Sequence, residues 1–455
     1  MKWIHSIIGI IIFIISYNIE SEHFDVSALG LAVWMVYWWI TQPVPLYMTA
    51  LLPIIIGLPF ELIEHADLAQ SYGNHMIFLF FGGFVIALAI EKWGLHEQIA
   101  FTIIRSFGKT PSRLLGGFMV ATAFLSMWIS NTATTLMMLP IALSVIRAIP
   151  RFREKRLFSI GLLMSIAFAA NIGGTATLIG TPPNIQMAGI LDQEFNMTID
   201  FFEWFIVGFP FMITMLTITY LLLRRYFVKK SDFQMMDIAP RKLDLNQKRV
   251  LTLFSIVVLL WMGRSLLNTI LPFELNDTGI ALIGAMILFI VPSDKQKPIL
   301  AWEDLQKLPW GILFLFGGGL ALASILANAN IVNYMVNEMK PLVTMPVIIL
   351  LVIIFAITIF STELMSNLAL VSLIIPLMGK FAIEMDLPIF GIAAGIALSA
   401  SCAFMLPVAT PPNAIVYSAN LIKMKNMLVF GLLLNVITVF IVSVLIYFMF
   451  FYNGI

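Results

Sequence analysis

Residues 114–146 form an apolar stretch without a charged side chain, bounded by Arg113 and Arg147. As one straight helix it would be roughly 50 Å long at about 1.5 Å per residue, against a hydrocarbon core about 30 Å thick. A single crossing does not fit. Ser130-Asn131 lies at the midpoint, and folding there gives two arms of about 24 Å, each able to pass the bilayer centre before the chain turns back. A re-entrant hairpin with both ends on one face is therefore expected. A second stretch, 341–379, contains the same polar pair, Ser366-Asn367, and is read the same way.

The remainder of the chain demands a membrane as well. Of 455 residues, 60% are hydrophobic and 11% charged, and the mean hydropathy is +0.97. Apolar windows of spanning length occur near 3–19, 26–41, 46–60, 76–93, 157–190, 204–223, 249–267, 278–292, 309–329, 387–420 and 427–452. The first is read as a retained helix, because Ser16-Tyr17-Asn18-Ile19-Glu20 offers no small-residue cleavage site. The expected fold is an all-α polytopic membrane protein of about eleven transmembrane helices plus two re-entrant helical hairpins. The net charge of +1 gives no argument for a nucleic-acid partner, and the single cysteine, Cys402, excludes a disulfide within the chain.

Charge placement orients the chain. Arg147, Arg151, Arg153, Lys155 and Arg156 follow the first hairpin, and Arg224, Arg225, Lys229, Lys230, Arg241, Lys242, Lys248 and Arg249 crowd the 224–249 connection. Both connections should face the cytoplasm. Loops 61–75 and 191–203 carry Glu61, Glu64, Asp67, Asp192, Glu194, Asp200 and Glu203 and no lysine or arginine, as outer loops do. The N-terminus is then cytoplasmic and the C-terminus external, in a cell membrane. Lys340 and Lys380 at the ends of the second hairpin run against this assignment, and Glu338, Glu384 and Asp386 dilute the conflict.

An internal repeat carries the chemistry. Phe80-Phe81-Gly82-Gly83-Phe84 resembles Phe316-Gly317-Gly318-Gly319-Leu320; each precedes a hairpin, then a Ser-Asn tip, then a Thr-Pro-Pro-Asn sequence at 181–184 or 410–413. Opposite hairpin orientations make this an inverted repeat. Gly-rich helices also pack closely in membranes without forming a site. Two successive prolines remove two backbone donors and clash with the preceding turn, so each Thr-Pro-Pro should interrupt a helix near mid-membrane. Irregular backbone at that depth is tolerated where it lines a polar cavity, so two tips and two breaks predict one shared chamber. Hydroxyls, amide carbonyls and backbone carbonyls suit a small hard cation, while half-helix N-termini and Ser, Thr and Asn donors suit an oxyanion. Ser126 and Ser130, and likewise Thr362 and Ser366, are spaced to share one helix face, although such hydroxyls often bond back to their own helix. No lysine or arginine occurs in 114–146, 157–223, 341–379 or 381–422. A divalent anion in that chamber needs co-bound cations, because helix dipoles of about half a charge cannot fully offset its desolvation.

These residues resemble the divalent-anion:sodium symporter family, the INDY-type carboxylate transporters, over essentially the whole chain. The resemblance implies an elevator-type homodimer that imports a small dicarboxylate such as succinate, malate or fumarate with sodium, and uses no organic cofactor. It implies scaffold helices at 1–111 and 230–338, and a transport domain built from 112–229 and 339–455. It also implies sodium ligands Ser126, Ser130, Asn131 and Gly180 in the first half and Thr362, Met365, Asn367 and Ala409 in the second. Substrate contacts would come from Ser130, Asn131, Thr132, Thr181, Ser366, Asn367, Thr410 and Pro411. One position departs from the family pattern: Leu368 stands where the second tip should carry a threonine.

That departure keeps a sulfate or other inorganic oxyanion, or sodium-independent exchange, as the alternative within the same fold. An intramembrane hydrolase would need a general base near Ser130 or Ser366, and no histidine or lysine lies in the apolar segments around them. A channel is distinguished by counterflow. Glu363 is an intramembrane carboxylate, either functional or holding a backbone break or a neighbouring helix. His5, His23, His65, His75 and His96 all fall in the first 96 residues without metal-site spacing. Trp38, Trp39 and Trp204 are expected as interfacial anchors.

Overall fold

The computed structural model describes residues 2–149, 152–228, 242–339 and 345–452. Among them the regular elements are helical, apart from an isolated bridge between Pro292 and Pro298. The chain begins with α1 (Lys2–Tyr17), α2 (Val26–Thr41), the short α3 (Leu46–Thr49), α4 (His65–Tyr72), α5 (His75–Lys92) and α6 (Leu95–Phe107). Next come α7 (Pro111–Ser126), α8 (Asn131–Arg147), α9 (Phe152–Gly174), α10 (Pro182–Phe195) and α11 (Phe201–Leu223). The second half runs α12 (Leu245–Asn268), α13 (Asp277–Leu288), α14 (Trp310–Asn328) and α15 (Ile331–Met339). It ends with α16 (Val347–Thr362), α17 (Asn367–Glu384), α18 (Ile389–Ala400), α19 (Pro411–Ser418) and α20 (Met424–Ile446).

Each apolar window holds a helix, or a helix pair at 157–190 and 387–420. Seven helical stretches among the described residues are long and apolar enough to cross a membrane. The windows missed α4, α6 and α15, whose polar residues interrupt any long apolar run. Helices α7 and α8 form the first hairpin and α16 and α17 the second. Ser130 caps α8, its Oγ accepting the Ala133 amide at 3.3 Å, and Ser366 is the extended residue before α17. Pro140 in α8 and Pro376 in α17 stand at the same remove from their tips, a correspondence the motifs did not include.

The prolines do not stand at the fracture, contrary to the clash expected with the preceding turn. Residues 175–181 and 401–410 are non-helical, and Pro182-Pro183 and Pro411-Pro412 open the next half-helix. A proline in a first turn gives up an amide that has no helical partner anyway. The prolines thus start α10 and α19 rather than ending α9 and α18.

The two halves interlock: α10 packs on α17 of the second hairpin, while α19 packs on α8 of the first and on α9. Helix α14 lies against α10 and α17, and α5 pairs with α13. The Gly-rich phrases serve that packing, since a methyl on Gly82 would overlap Ala281 and one on Gly318 would overlap Ala50. Loops read as outer loops meet: His75 Nδ1 lies 3.6 Å from Asp192 Oδ2, and Gln193 Nε2 donates to Ser71 Oγ at 3.0 Å. Lys92 Nζ and Asp304 Oδ2 pair at 2.6 Å. Arg151, Lys229, Lys230, Arg241 and Lys340 lie outside the described residues, as do the side chains of Arg153 and Lys155. Trp39 and Trp204 are buried instead of interfacial, donating to Leu46 O at 3.2 Å and to Thr175 O at 3.0 Å. Each indole N–H thus finds a backbone carbonyl inside the protein, as a buried donor must.

Candidate functional site

The same polar contacts are made twice. At the first tip, Ser126 Oγ lies 2.6 Å from Asn131 Oδ1 and 2.8 Å from Ala170 O. At the second, Thr362 Oγ1 lies 2.7 Å from Asn367 Oδ1 and 2.8 Å from Ala400 O. Downstream, Asn184 Nδ2 donates to Gly174 O (3.2 Å) and Thr177 O (2.8 Å), and Asn413 Nδ2 donates to Ala403 O (3.0 Å) and Leu406 O (3.0 Å). Each Thr-Pro-Pro-Asn asparagine thus reaches back across its own break to carbonyls the helix has released. The expected shared helix face is corrected: Ser126 and Thr362 end their helices, while Ser130 and Ser366 begin the next ones.

Both tips and both breaks open on one cavity of about 530 Å³. Its walls include Ser130, Asn131, Thr132, Gly180, Thr181, Met365, Ser366, Asn367, Ala409, Thr410 and Pro411. Ser126 and Thr362 do not line it; they are fully buried behind the tips. Trp39, Gln42, Phe80, Phe84, Ile312 and Leu315 close the other side from α2, its C-cap, α5 and α14. Four helices begin at the cavity, at Asn131, Pro182, Asn367 and Pro411, so their positive ends converge there. Among the described residues the walls hold no lysine, arginine or histidine, and their one ionisable side chain is acidic, Glu363.

Glu363 is fully engaged. Its carboxylate accepts the amides of Phe404 (2.8 Å), Met405 (2.8 Å) and Leu406 (3.0 Å), together with Asn435 Nδ2 from α20 (2.8 Å). It therefore holds both the second break and a neighbouring helix, the two structural roles open for it in the sequence. The matching residue of the first repeat, Met127, has no such group. Leu368 lines the cavity in the first turn of α17. Sequence reasoning missed Asn171, Asn435 and the role of Asn184 and Asn413; the available signal was an asparagine inside a spanning-length apolar run.

A family model described as "Citrate transporter" matches residues 36–389. A protein of Staphylococcus aureus strain USA300 named "Sodium-dependent dicarboxylate transporter SdcS" is 38% identical over 445 residues, covering 93% of this chain and 85% of that one. The chain belongs to the divalent-anion:sodium symporter family. The SdcS protein of strain NCTC 8325 matches to the same extent. Among solved structures, the Alcanivorax borkumensis YdaH transporter superposes with a TM-score of 0.57 at 11% identity, over 92% of this chain and 97% of that one, a likeness of fold alone. A member of this symporter family is a transporter and not an enzyme.

In this symporter-family chain two oxygens of the first expected sodium set lie against Gly174. A methyl group on Gly174 would sit 2.5 Å from Asn131 Oδ1 and 3.1 Å from Gly180 O. The glycine thus lets two oxygens of the expected set approach the end of α9, and the Ser126 hydroxyl contacts the asparagine. Oxygen-only surroundings are those of a hard cation.

Proposed function

We propose that this chain is a sodium-coupled secondary active symporter that imports C4-dicarboxylates of the succinate, malate and fumarate class across the cell membrane. The observation that carries this reading is the cavity itself: four helix N-termini and two Ser-Asn tips for an anion, and no basic side chain to neutralise it. Sodium bound behind each tip supplies the missing positive charge, and the buried carboxylate of Glu363 increases that need. Two opposed tips suit an anion with a carboxylate at each end. The names of the Staphylococcus aureus relatives point to the same cargo.

Substrate would meet Ser130, Asn131, Thr132, Thr181, Ser366, Asn367, Thr410 and Pro411. Sodium would meet Ser126, Ser130, Asn131 and Gly180 at the first site and Thr362, Met365, Asn367 and Ala409 at the second. The interlocking of α10 with α17 and of α19 with α8 supports 112–229 and 339–455 as one moving body. The remaining helices would be the scaffold of a homodimer, with the N-terminus cytoplasmic and the C-terminus external. A thermal-shift screen of the purified protein tests the cargo. Succinate, malate or fumarate should stabilise it only with sodium present, whereas stabilisation by sulfate alone would favour the oxyanion reading and overturn this one.

A further inference from the structure

The two threonines that precede the proline pairs are not equivalent. Asn171, in α9 of the first repeat, reaches across to the second break, where its Nδ2 lies 3.4 Å from Ala403 O and 3.1 Å from Thr410 Oγ1. A backbone carbonyl can only accept, so the Ala403 contact fixes which end of the Asn171 amide carries hydrogen. The nitrogen must then donate to Thr410 Oγ1 as well. Thr410 Oγ1 also faces the Asn413 amide, at 3.4 Å, as the cap of α19. Both lone pairs of the hydroxyl are occupied, and its one proton must point elsewhere. Among the described residues no acceptor takes that proton, and Thr410 lines the cavity.

Thr181 lacks this arrangement. It begins α10 without a side-chain cap bond. The stretch of the second repeat corresponding to Asn171 is Ala400-Ser401, and Ser401 Oγ turns back to Ala397 O at 3.0 Å. Among the described residues nothing there holds the Thr181 hydroxyl in one sense.

We infer that Asn171 is a positioning residue for anion recognition: it sets the Thr410 hydroxyl as a hydrogen-bond donor to a carboxylate oxygen in the cavity. The second half thereby gains a fixed donor beside the tip where Leu368 offers none. A hydrogen bond to a charged group contributes more than one between neutral partners, so orienting this one proton matters for affinity.

This inference rests on the proposed function in requiring an anion in the cavity. The test is a double-mutant cycle on sodium-driven uptake. Asn171→Ala and Thr410→Val should each raise KM for the dicarboxylate about tenfold. The double variant should match either single one, because Asn171 acts through the hydroxyl that Thr410→Val removes. The sodium concentration for half-maximal uptake should stay within about twofold throughout, and Thr410→Ser should retain the wild-type KM. Additive losses, or an unchanged KM in Asn171→Ala, would overturn the inference. Should Asn171→Ala fail to fold, Thr181→Val and Thr410→Val decide: the inference requires the larger KM increase from Thr410→Val, and equal increases contradict it. A wild type that takes up no C4-dicarboxylate rejects the proposed cargo separately. The same cycle then runs on affinity for the oxyanion that stabilises the protein.

Discussion

At the scale of single residues the proposed function separates groups that would touch the cargo from groups that hold them in place. Asn131 and Asn367 are each contacted by a hydroxyl from behind and each stand at the cavity wall. Asn131→Ala and Asn367→Ala should each abolish uptake in a protein that still folds and inserts; retained uptake with normal sodium dependence would remove them from the cation sites. Gly174→Ala places a methyl between Asn131 Oδ1 and Gly180 O. It should raise the sodium concentration needed for thermal stabilisation at least tenfold, measured without substrate. Leu368→Thr restores a hydroxyl beside the second tip and should lower the dicarboxylate KM several-fold, and an unchanged value would show that this position does not touch substrate. The tip and break residues were legible because serine, asparagine and paired prolines are conspicuous in an apolar chain. Asn171 was not, because its partners Ala403 and Thr410 are far away in sequence and belong to the other repeat.

At the scale of elements, two hairpins and two broken helices are held by local bonds that replace those a continuous helix would make. Each unsatisfied backbone group in hydrocarbon costs several kcal/mol, which is why Asn184, Asn413 and Glu363 are tied to break backbone. Asn413→Ala leaves the Ala403 and Leu406 carbonyls short of a donor and should lower unfolding stability by about 2 kcal/mol, read by denaturation in detergent. A change below about 0.5 kcal/mol would mean that other groups hold that break. The hairpins followed from length together with the Ser-Asn pairs, since the first apolar stretch exceeds one crossing and each stretch carries that polar pair. The position of the breaks did not follow from the prolines, because a proline pair is equally at home starting a helix, and only the carbonyl bonding shows on which side of it the backbone is released. The amphipathic helices α4, α6 and α15 also escaped a hydropathy reading, which responds to runs and not to faces.

At the scale of the whole molecule, the outer end of α10 joins the proposed moving body to the scaffold. Asp192 faces His75, Gln193 bonds to Ser71, and Glu194 lies near Asp67, all within 61–75 and 191–203, the segments expected on the outer face. Burial, with a smaller push from the Asp67 charge, raises the Glu194 carboxyl to about 7. Its proton is held more tightly in the folded protein than in the unfolded chain, so its contribution to stability is complete below the ordinary carboxylate range and is lost as pH rises through about 7. Relative to Glu194→Gln, the wild-type Tm should therefore fall between pH 5 and pH 8 as buffers are stepped upward. A rise would contradict the assignment. In the proposed function the cavity binds an anion and sodium together because its walls, among the described residues, carry no fixed cation. Uptake of labelled succinate into proteoliposomes tests it most directly. An inward sodium gradient should drive accumulation above equilibrium, and replacing sodium with choline should abolish it. Uptake that proceeds equally without sodium, or no uptake of any C4-dicarboxylate under the gradient, would contradict the account.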